Sequence, residues 1–549
     1  MKRRSSARQS GIEVCDVTFR DGLQHGNMRI SLPKALEIVG LMAKAGFHMA
    51  ELGFPAGNDF AKNLIAAAMK QELGGMKIAA FGRTRKPNEG VADCIDVKTI
   101  LNLGVPQAVI VCKSRLLDVT ETLHTSAAEN LAMISDTVRY LKEQGVQVYL
   151  DLEFALDAYF GRREMGKSMT AYQRKRSRKY FQEVVRAGVK AGADCLVFCD
   201  TTGGAGPEEV TAIVEAFVRR HPGVCFGFHG HDNNGLATAN SRAALLAGAR
   251  HIQGTINGYG ERCGNANLVT FVPRLQLKDG WSLVSAQALA TYTDLSVRTA
   301  LAFNRQPSDR APFVGRYAYQ TSAGMHAAGE DRLPGAYLDA DPEAVGNQRS
   351  FVITRQSGVS NVMMVSKKVG MPLNRTQATE LLQRFRLQID GGAYEEGETS
   401  FIMACRRVAG KHADFFDVTE YRAESGKIHG RHYAKAEAKV KVGSGEPAHT
   451  IAEGKGPVDA LLTALKKAVI PVYPAIGEVH LKGYKTVALD VEAEEGKAAV
   501  LVVATFSSDE EVWVTAGVST DSNRAGKMAW DDAMHYFLWR KGNGNCHTG

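Results

Sequence analysis

The sequence has no long apolar stretch, few cysteines and little net charge. No segment approaches the roughly 18 uninterrupted apolar residues of a membrane-spanning helix, and no apolar region follows the basic start at residues 2–4. Lys and Arg exceed Asp and Glu only by 67 to 59, and the surplus is spread thinly. These absences argue against secretion, membrane insertion and nucleic-acid binding. They favour, weakly, anionic small molecules as ligands.

Nine cysteines in 549 residues, with no CxxC pair, are typical of a protein in the reducing cytoplasm. Cys195 and Cys199 flank an apolar tripeptide, and no second pair or histidine lies at zinc-knuckle spacing. We therefore expect both in a buried strand, with a zinc knuckle as the weaker alternative. The basic residues 1–10 are expected to form a flexible, solvated terminus.

The first part of the chain repeats a short apolar or β-branched run followed by a longer helical period. Eight runs occur, at residues 12–18, 48–54, 77–82, 108–112, 146–152, 195–200, 225–229 and 251–257. Residues 34–45, 127–143, 173–191 and 208–220 are proline-free and long enough for covering helices. Eight parallel strands with helical crossovers close into a ring, so the sequence predicts an α/β fold, a (β/α)8 TIM barrel. A doubly wound open sheet is the alternative.

Active sites of such barrels lie at the C-terminal ends of the strands. Those ends carry Arg20, Asp21, Glu51, Arg83, Lys113, Ser114, Glu153, Asp200, Thr201, His229, His231 and Asn257. His229 and His231 are two residues apart, so strand alternation turns both side chains to one face. With Asp21 from the first strand they would form a facial set of metal ligands. A hydrogen bond from one histidine to a loop carbonyl is the alternative.

Three motifs carry a resemblance to a known family. Residues 16–24 match DxTxRDGxQ, residues 229–231 match HxH and residues 258–266 match GxGERxGNA. Together they resemble the metal-dependent acyltransferases that condense acetyl-CoA with 2-oxo acids, namely the 2-isopropylmalate, homocitrate and citramalate synthases. Residues 80–85, 252–259 and 345–349 are most similar to citramalate synthases. The similarity extends from about residue 11 to about residue 540.

The resemblance implies a role for each site residue. Asp21, His229 and His231 would bind a divalent cation (Mg, Mn, Co or Zn), with Asn265 near it. Arg20 would polarise the ketone and stabilise the developing alkoxide, and Glu153 and Thr201 would orient the oxo acid. His326 and Tyr337 would serve proton transfer from the acetyl methyl group and would reach the neighbouring subunit's active site in a homodimer.

Several positions near the substrate differ from the family pattern. Residues 115–118 read Arg-Leu-Leu-Asp where citramalate synthases usually have Trp-Asp-Leu-His. Phe154 replaces a histidine, Thr202 replaces an asparagine, and residues 232–233 are reversed to Asp-Asn. Pyruvate is the leading substrate, but a pocket-facing Arg115 would favour a larger or doubly charged oxo acid. A solvated loop arginine is the alternative.

We expect a barrel at residues 11–285, linker subdomains carrying part of the active site at 286–425, and an α+β module at 426–549. Alternation predicts strands at 434–442, 486–493, 498–506 and 513–518, with helices at 457–468 and 526–539. Residues 453–460 resemble the regulatory domain of 2-isopropylmalate and citramalate synthases. That domain implies dimerisation and a branched-chain amino acid as effector.

Two other functions stay open at this point besides a different 2-oxo acid. Metal-dependent lyases and aldolases use the same aspartate and HxH on the same barrel, but they generally lack the further residues that follow the GxGERxGNA motif here. A non-catalytic sensor paralogue would explain the changed mouth, but it would have no evident need for the complete metal and proton apparatus.

Overall fold

The computed structural model describes residues 11–162, 169–321, 329, 333, 335–351, 357–390, 398–411, 414–443, 445–489, 499–508 and 511–543. The chain divides into two compact units. One comprises Met1–Tyr319 and Leu338–Ser350, and the other comprises Gln320–Tyr337 and Phe351–Gly549. Among the described helices, none combines the length and the apolar character that crossing a membrane requires.

Eight parallel strands form a closed barrel in the first unit. They are β1 (Glu13–Asp16), β2 (Met49–Glu51), β3 (Lys77–Arg83), β4 (Gln107–Lys113), β5 (Gln147–Glu153), β6 (Cys195–Asp200), β7 (Cys225–Gly230) and β8 (His251–Gly254). β1 pairs with both β2 and β8, which closes the ring. The predicted (β/α)8 fold is confirmed, and the open sheet is excluded. Each predicted run overlaps one strand, and the strand ends differ from the run ends by at most three residues.

Twelve α-helices of the described residues follow or cover these strands. They are α1 (Leu32–Lys44), α2 (Asp59–Ala68), α3 (Ile95–Leu103), α4 (Leu116–Glu121), α5 (Ala127–Glu143), α6 (Ala155–Phe160), α7 (Ala171–Ala191), α8 (Pro207–Arg220), α9 (Ala237–Leu246), α10 (Leu268–Lys278), α11 (Ala286–Leu289) and α12 (Tyr292–Ala302). Two of the helix starts follow local capping rules: Thr170 and Gln173 form a capping box at α7, and Pro207 is the first residue of α8.

Alternate residues of the strands point into the barrel. Cys15, Val17, Met49, Ala79 and Val109 are buried in this interior together with Cys195 and Cys199 on β6. The two cysteines are therefore core residues of a strand, as expected. Among the described residues, the one group of three potential metal ligands does not include them, so the zinc-knuckle alternative is not supported.

In the described residues of the second unit there are three helices and an α+β module. The helices are α13 (Val359–Lys368), α14 (Arg375–Asp390) and α15 (Glu398–Val408). The short strands β9 (Gln320–Thr321) and β10 (Ser350–Phe351) lie where the chain passes from the first unit to the second. The module has two antiparallel sheets: β11 (Phe416–Ile428), β12 (Arg431–Val442) and β13 (Ala448–Glu453), then β14 (His480–Ala488), β15 (Val500–Ser507) and β16 (Val512–Ser519). Helices α16 (Pro457–Val469) and α17 (Ser522–Asn543) share their core, with Val440, Leu465 and Trp513 buried.

The α+β class of this module is confirmed, but two strands were not predicted. β11 pairs with β12 from Phe416 to Ile428, so the boundary expected at residue 426 falls inside a strand. β13 was also missed, and the strand expected at 486–493 begins earlier, at His480. Most side chains of β11 are half-buried or exposed, which leaves little apolar alternation for a sequence pattern to detect.

Candidate metal centre and active site

The C-terminal mouth of the barrel contains a cavity of about 340 Å³. Six of the predicted site residues line it: Arg20, Asp21, Glu153, Thr201, His229 and His231. They come from β1, β5, β6 and β7 or from the turns directly after them, where a TIM barrel places its active site. The fold therefore brings together residues that are up to 211 positions apart in the sequence.

Asp21, His229 and His231 form a compact group of potential metal ligands. One ligand atom from each lies within 4.8 Å of the other two. The Oδ2 atom of Asp21 is 3.9 Å from Nε2 of His229 and 4.0 Å from Nε2 of His231. All three side chains are buried. Two imidazole nitrogens and one carboxylate oxygen on one face are a donor set for a divalent cation.

Asn265 supplies an independent test of the fit to a cation. Its Nδ2 donates to Asp21 Oδ1 at 2.7 Å, whereas its Oδ1 is buried and has no hydrogen-bond partner among the described residues. A buried amide oxygen without a donor is costly, and such oxygens are ligands of hard divalent cations. The residues present at this site therefore fit a metal ion.

The protonation states also suit a metal. Burial opposes ionisation of Asp21, but the Arg20 guanidinium, with His229 and His231 nearby, holds the pKa of Asp21 well below its usual range. Burial, with His231 and Arg20 nearby, lowers the pKa of His229 to about 3. Burial also lowers the pKa of His231. At neutral pH the set is one carboxylate and two neutral imidazoles, the forms that coordinate cations.

Arg20 is held in place on three sides. Its Nε donates to Glu51 Oε1 at 2.5 Å, and its Nη1 donates to Asp21 Oδ2 at 2.7 Å. The guanidinium carbon lies 4.8 Å from the centre of the Phe81 ring. Burial opposes the charge, but Glu51 and Asp21 raise the pKa of Arg20, so the side chain stays cationic. A fixed cation thus lies beside the metal ligands.

Glu153 and Thr201 line the cavity at the ends of β5 and β6. Lys113 Nζ donates to Glu153 Oε2 at 2.5 Å, so one carboxylate oxygen is already paired. Thr201 Oγ1 accepts a hydrogen bond from the backbone N–H of Phe154 at 2.8 Å. The Thr201 hydroxyl proton can therefore be donated elsewhere.

The structure describes only one of the two residues implied for proton transfer. His326 lies outside the described residues. Tyr337 is described as part of the second unit, and its side chain is 50% exposed. Asn257, at the end of the eighth predicted run, makes hydrogen bonds with Ser296 instead of lining the cavity.

Four side chains at or near the cavity are not among the site residues that the sequence predicts. Glu51 and Lys113 were noted only as polar strand ends, yet they hold Arg20 and Glu153. Asp151 and Gln253 were not noted, although strand alternation turns them to the same side as Glu153 and His251. Asp151 is buried in the cavity wall, and burial raises its pKa to about 8.

Comparisons with known proteins follow the same division of the chain. Residues 11–297 match the family model described as HMGL-like. Residues 313–392 match a homocitrate synthase post-HMGL domain-like model, and residues 398–538 match the LeuA allosteric (dimerisation) domain. The first model covers more than half of the chain.

Three relatives that match over nearly their full length carry the same name. An (R)-citramalate synthase of Synechocystis sp. is 35% identical over 97% of this chain and 97% of its own. Those of Sulfolobus acidocaldarius and Aquifex aeolicus are each 33% identical over 96% of this chain and 97% and 98% of their own. The chain belongs to the (R)-citramalate synthase family. As a member of this family it is a divalent-metal-dependent condensing acyltransferase, and its LeuA-type module makes it a dimer.

Proposed function

We propose that this protein condenses acetyl-CoA with pyruvate to form (R)-citramalate and free CoA. The observation that carries the proposal is a complete set of metal ligands beside a fixed arginine in a chain that matches (R)-citramalate synthases over nearly its whole length. The acetyl methyl group loses a proton, its carbon attacks the ketone carbon of the oxo acid, and water then cleaves the thioester.

Asp21, His229 and His231 hold a divalent cation, with Asn265 beside it. When bound, such an ion supplies a Lewis acid and a template for a 2-oxo acid. Arg20 places its guanidinium where negative charge grows on the ketone oxygen. Its contacts with Glu51, Asp21 and Phe81 fix that position before substrate binds, so little reorganisation accompanies the reaction.

Glu153 and Thr201 orient the oxo acid from the ends of β5 and β6. The Thr201 hydroxyl is a donor for the substrate carboxylate, because its oxygen is occupied by the Phe154 N–H. Glu153, tied to Lys113, presents its second oxygen to the cavity. His326 and Tyr337 take the proton of the acetyl group. For these two residues the support is the family resemblance of residues 324–326 and 337.

The effector and the location are two further parts of this proposal. A branched-chain amino acid binds the C-terminal module as a feedback inhibitor, for which the match to the LeuA allosteric (dimerisation) domain is the support. The enzyme acts in the cytoplasm. The support is that all eight cysteines of the described residues are free thiols.

The test is release of free thiol from acetyl-CoA with pyruvate, 2-oxobutyrate, 2-oxoisovalerate, 2-oxoglutarate and oxaloacetate, each with and without a divalent metal. We expect metal-dependent release with pyruvate and a product that co-elutes with (R)-citramalate on a chiral column. Release only with 2-oxoisovalerate would reassign the substrate. No release from folded, metal-loaded protein, together with cleavage of an acyl-CoA, would identify a lyase. Leucine, isoleucine and valine titrated into the same assay test the effector.

A further inference from the structure

Gln253 joins the metal centre to the opposite wall of the barrel. It lies on β8, directly paired with His229 on β7, and its side chain is fully buried. Its Oε1 lies 2.9 Å from Nδ1 of His229. Its Nε2 donates to Asp151 Oδ1 on β5 at 3.0 Å. One amide therefore contacts a metal-ligating histidine at one end and a carboxyl group at the other.

The two ends of the Gln253 amide are chemically different. This difference determines which ring nitrogen of His229 carries the proton. An amide Nε2 only donates and an amide Oε1 only accepts. In the observed arrangement Asp151 Oδ1 accepts from Nε2, the oxygen of Gln253 faces His229, and Nδ1 of His229 carries the ring proton. The lone pair of His229 is then on Nε2, the atom that faces Asp21. The reversed amide would place the proton on Nε2 and block coordination.

We propose that Gln253, oriented by Asp151, is a positioning residue of the metal centre that holds His229 in its metal-binding tautomer. The inference rests on the metal-dependent function proposed above, but it does not depend on which 2-oxo acid is condensed. His231 provides a contrast within the site. Its Nδ1 is buried and has no hydrogen-bond partner among the described residues, so Gln253 orients only one of the two imidazoles.

The experiment measures metal affinity without substrates. The dissociation constants of Mn²⁺ and Co²⁺ are determined by calorimetry and chelator competition for the full-length protein and for Gln253→Met, which keeps the side-chain length and removes both hydrogen bonds. We expect a dissociation constant about 10- to 100-fold higher, the usual effect of losing a partner of a metal-bound histidine. Gln253→Glu keeps an acceptor for His229 and should bind metal within about threefold of the wild type.

Gln107 is the matched control. It is also a fully buried glutamine inside the barrel, bonded to Tyr149 and Gln147, and it contacts no metal ligand. Gln107→Met should lose stability but keep metal affinity. Equal metal affinities of Gln253→Met and Gln107→Met would overturn the proposal, because Gln253 would then be only a core residue.

Asp151→Leu keeps the proposal testable if Gln253→Met does not fold. It leaves Gln253 in place and removes the acceptor that orients it, so metal affinity should again fall. An unchanged affinity in Asp151→Leu would contradict the orienting role. Tight metal binding by a wild-type protein that releases no thiol would overturn the proposed function and leave this inference standing.

Discussion

Two sides of the barrel mouth follow the family pattern to different degrees. The metal side, comprising Arg20, Asp21, His229, His231 and Asn265, keeps every motif residue. The altered side, comprising residues 115–118, Phe154 and Thr202 after β4, β5 and β6, departs from it. On the metal side Arg20 and Asn265 both donate to Asp21. On the altered side Arg115 contacts Asp118 and Phe154, whereas Thr202 donates to Asp157.

The contacts of the altered side show that the substitutions are coupled. The Arg115 guanidinium lies 4.0 Å from the centre of the Phe154 ring, and its Nε and Nη2 each donate to Asp118 at 2.8 Å. Phe154 itself has a φ of 59° and is held by Thr201. Arg115 is thus neither a solvated loop residue nor a free cation for a second substrate anion. The charge that suggested a doubly charged oxo acid is neutralised by Asp118.

The reversed pair at residues 232–233 also has a local role. Asp232 Oδ1 accepts a hydrogen bond from the backbone N–H of Ala237 at 2.8 Å, at the start of α9. The exchange of Asn and Asp therefore changes a turn that follows HxH. It leaves His229 and His231 in the ligand set.

Removal of the metal should have the largest effect on activity, because it removes the cation that the motif residues Asp21, His229 and His231 would hold. Dialysis against a chelator is expected to abolish thiol release with every oxo acid, and Mg²⁺, Mn²⁺ or Co²⁺ should restore it. His229→Ala should show the same loss without recovery, since a ligand is gone. Retention of activity after chelation, verified by metal analysis, would mean that the metal side is not the reacting centre.

Arg20→Gln should have the next largest effect. It keeps a polar side chain but removes the positive charge that we propose stabilises the ketone oxygen. We expect kcat to fall by about 10²- to 10³-fold, as for the loss of one oxyanion-stabilising group. Because Arg20 also contacts Glu51, the thermal unfolding temperature must be measured in parallel. A raised KM with unchanged kcat would assign Arg20 to binding alone.

Asp16, the last residue of β1, permits a pH test of the strand that leads to the metal side. It accepts hydrogen bonds from the N–H and the hydroxyl of Thr18, whose oxygen accepts from the Ile256 N–H and so links β1 to the turn after β8. Burial raises the pKa of Asp16 to about 7, above its unfolded value of about 3.9. Between these two pKa values the folded protein holds a proton on Asp16 that the unfolded chain has lost. The resulting contribution to the free energy of unfolding is fully present below about pH 4 and is lost as the pH rises through about 7.

The side chain in Asp16→Asn does not titrate, so this variant should lack the pH-dependent contribution to the free energy of unfolding. The difference in unfolding temperature between Asp16→Asn and the wild type should shift in favour of the variant from pH 5 to pH 7.5. Asp21, five residues away, has its pKa shifted in the opposite direction and is present in both proteins, so the difference isolates Asp16. Parallel curves would show that Asp16 is ionised throughout.

The sequence predicted the metal side better than the altered side for a physical reason. Strand alternation alone places His229 and His231 on one face, and each barrel strand carries its own apolar run. Contacts across the barrel have no such local signal. The bridge from Gln253 to Asp151 spans 102 positions, and the stacking of Arg115 on Phe154 depends on the left-handed backbone of Phe154. These contacts depend on three-dimensional packing, so no local sequence pattern predicts them.

Arg115→Ala should have the smallest effect on activity, because the guanidinium is occupied by Asp118 and Phe154. We expect kcat/KM for pyruvate to stay within about threefold and the preference for pyruvate over oxaloacetate to be unchanged. Stability should fall by about 1–2 kcal/mol, since a bidentate ion pair and a cation–π contact are lost. Asp118→Asn is the matched variant, because it keeps Arg115 and removes its counter-charge. A gain of activity with oxaloacetate in Asp118→Asn, absent from Arg115→Ala, would show that Asp118 masks a cation that faces the substrate. A selective loss of activity with oxaloacetate in Arg115→Ala would instead contradict the separation of the two sides of the mouth.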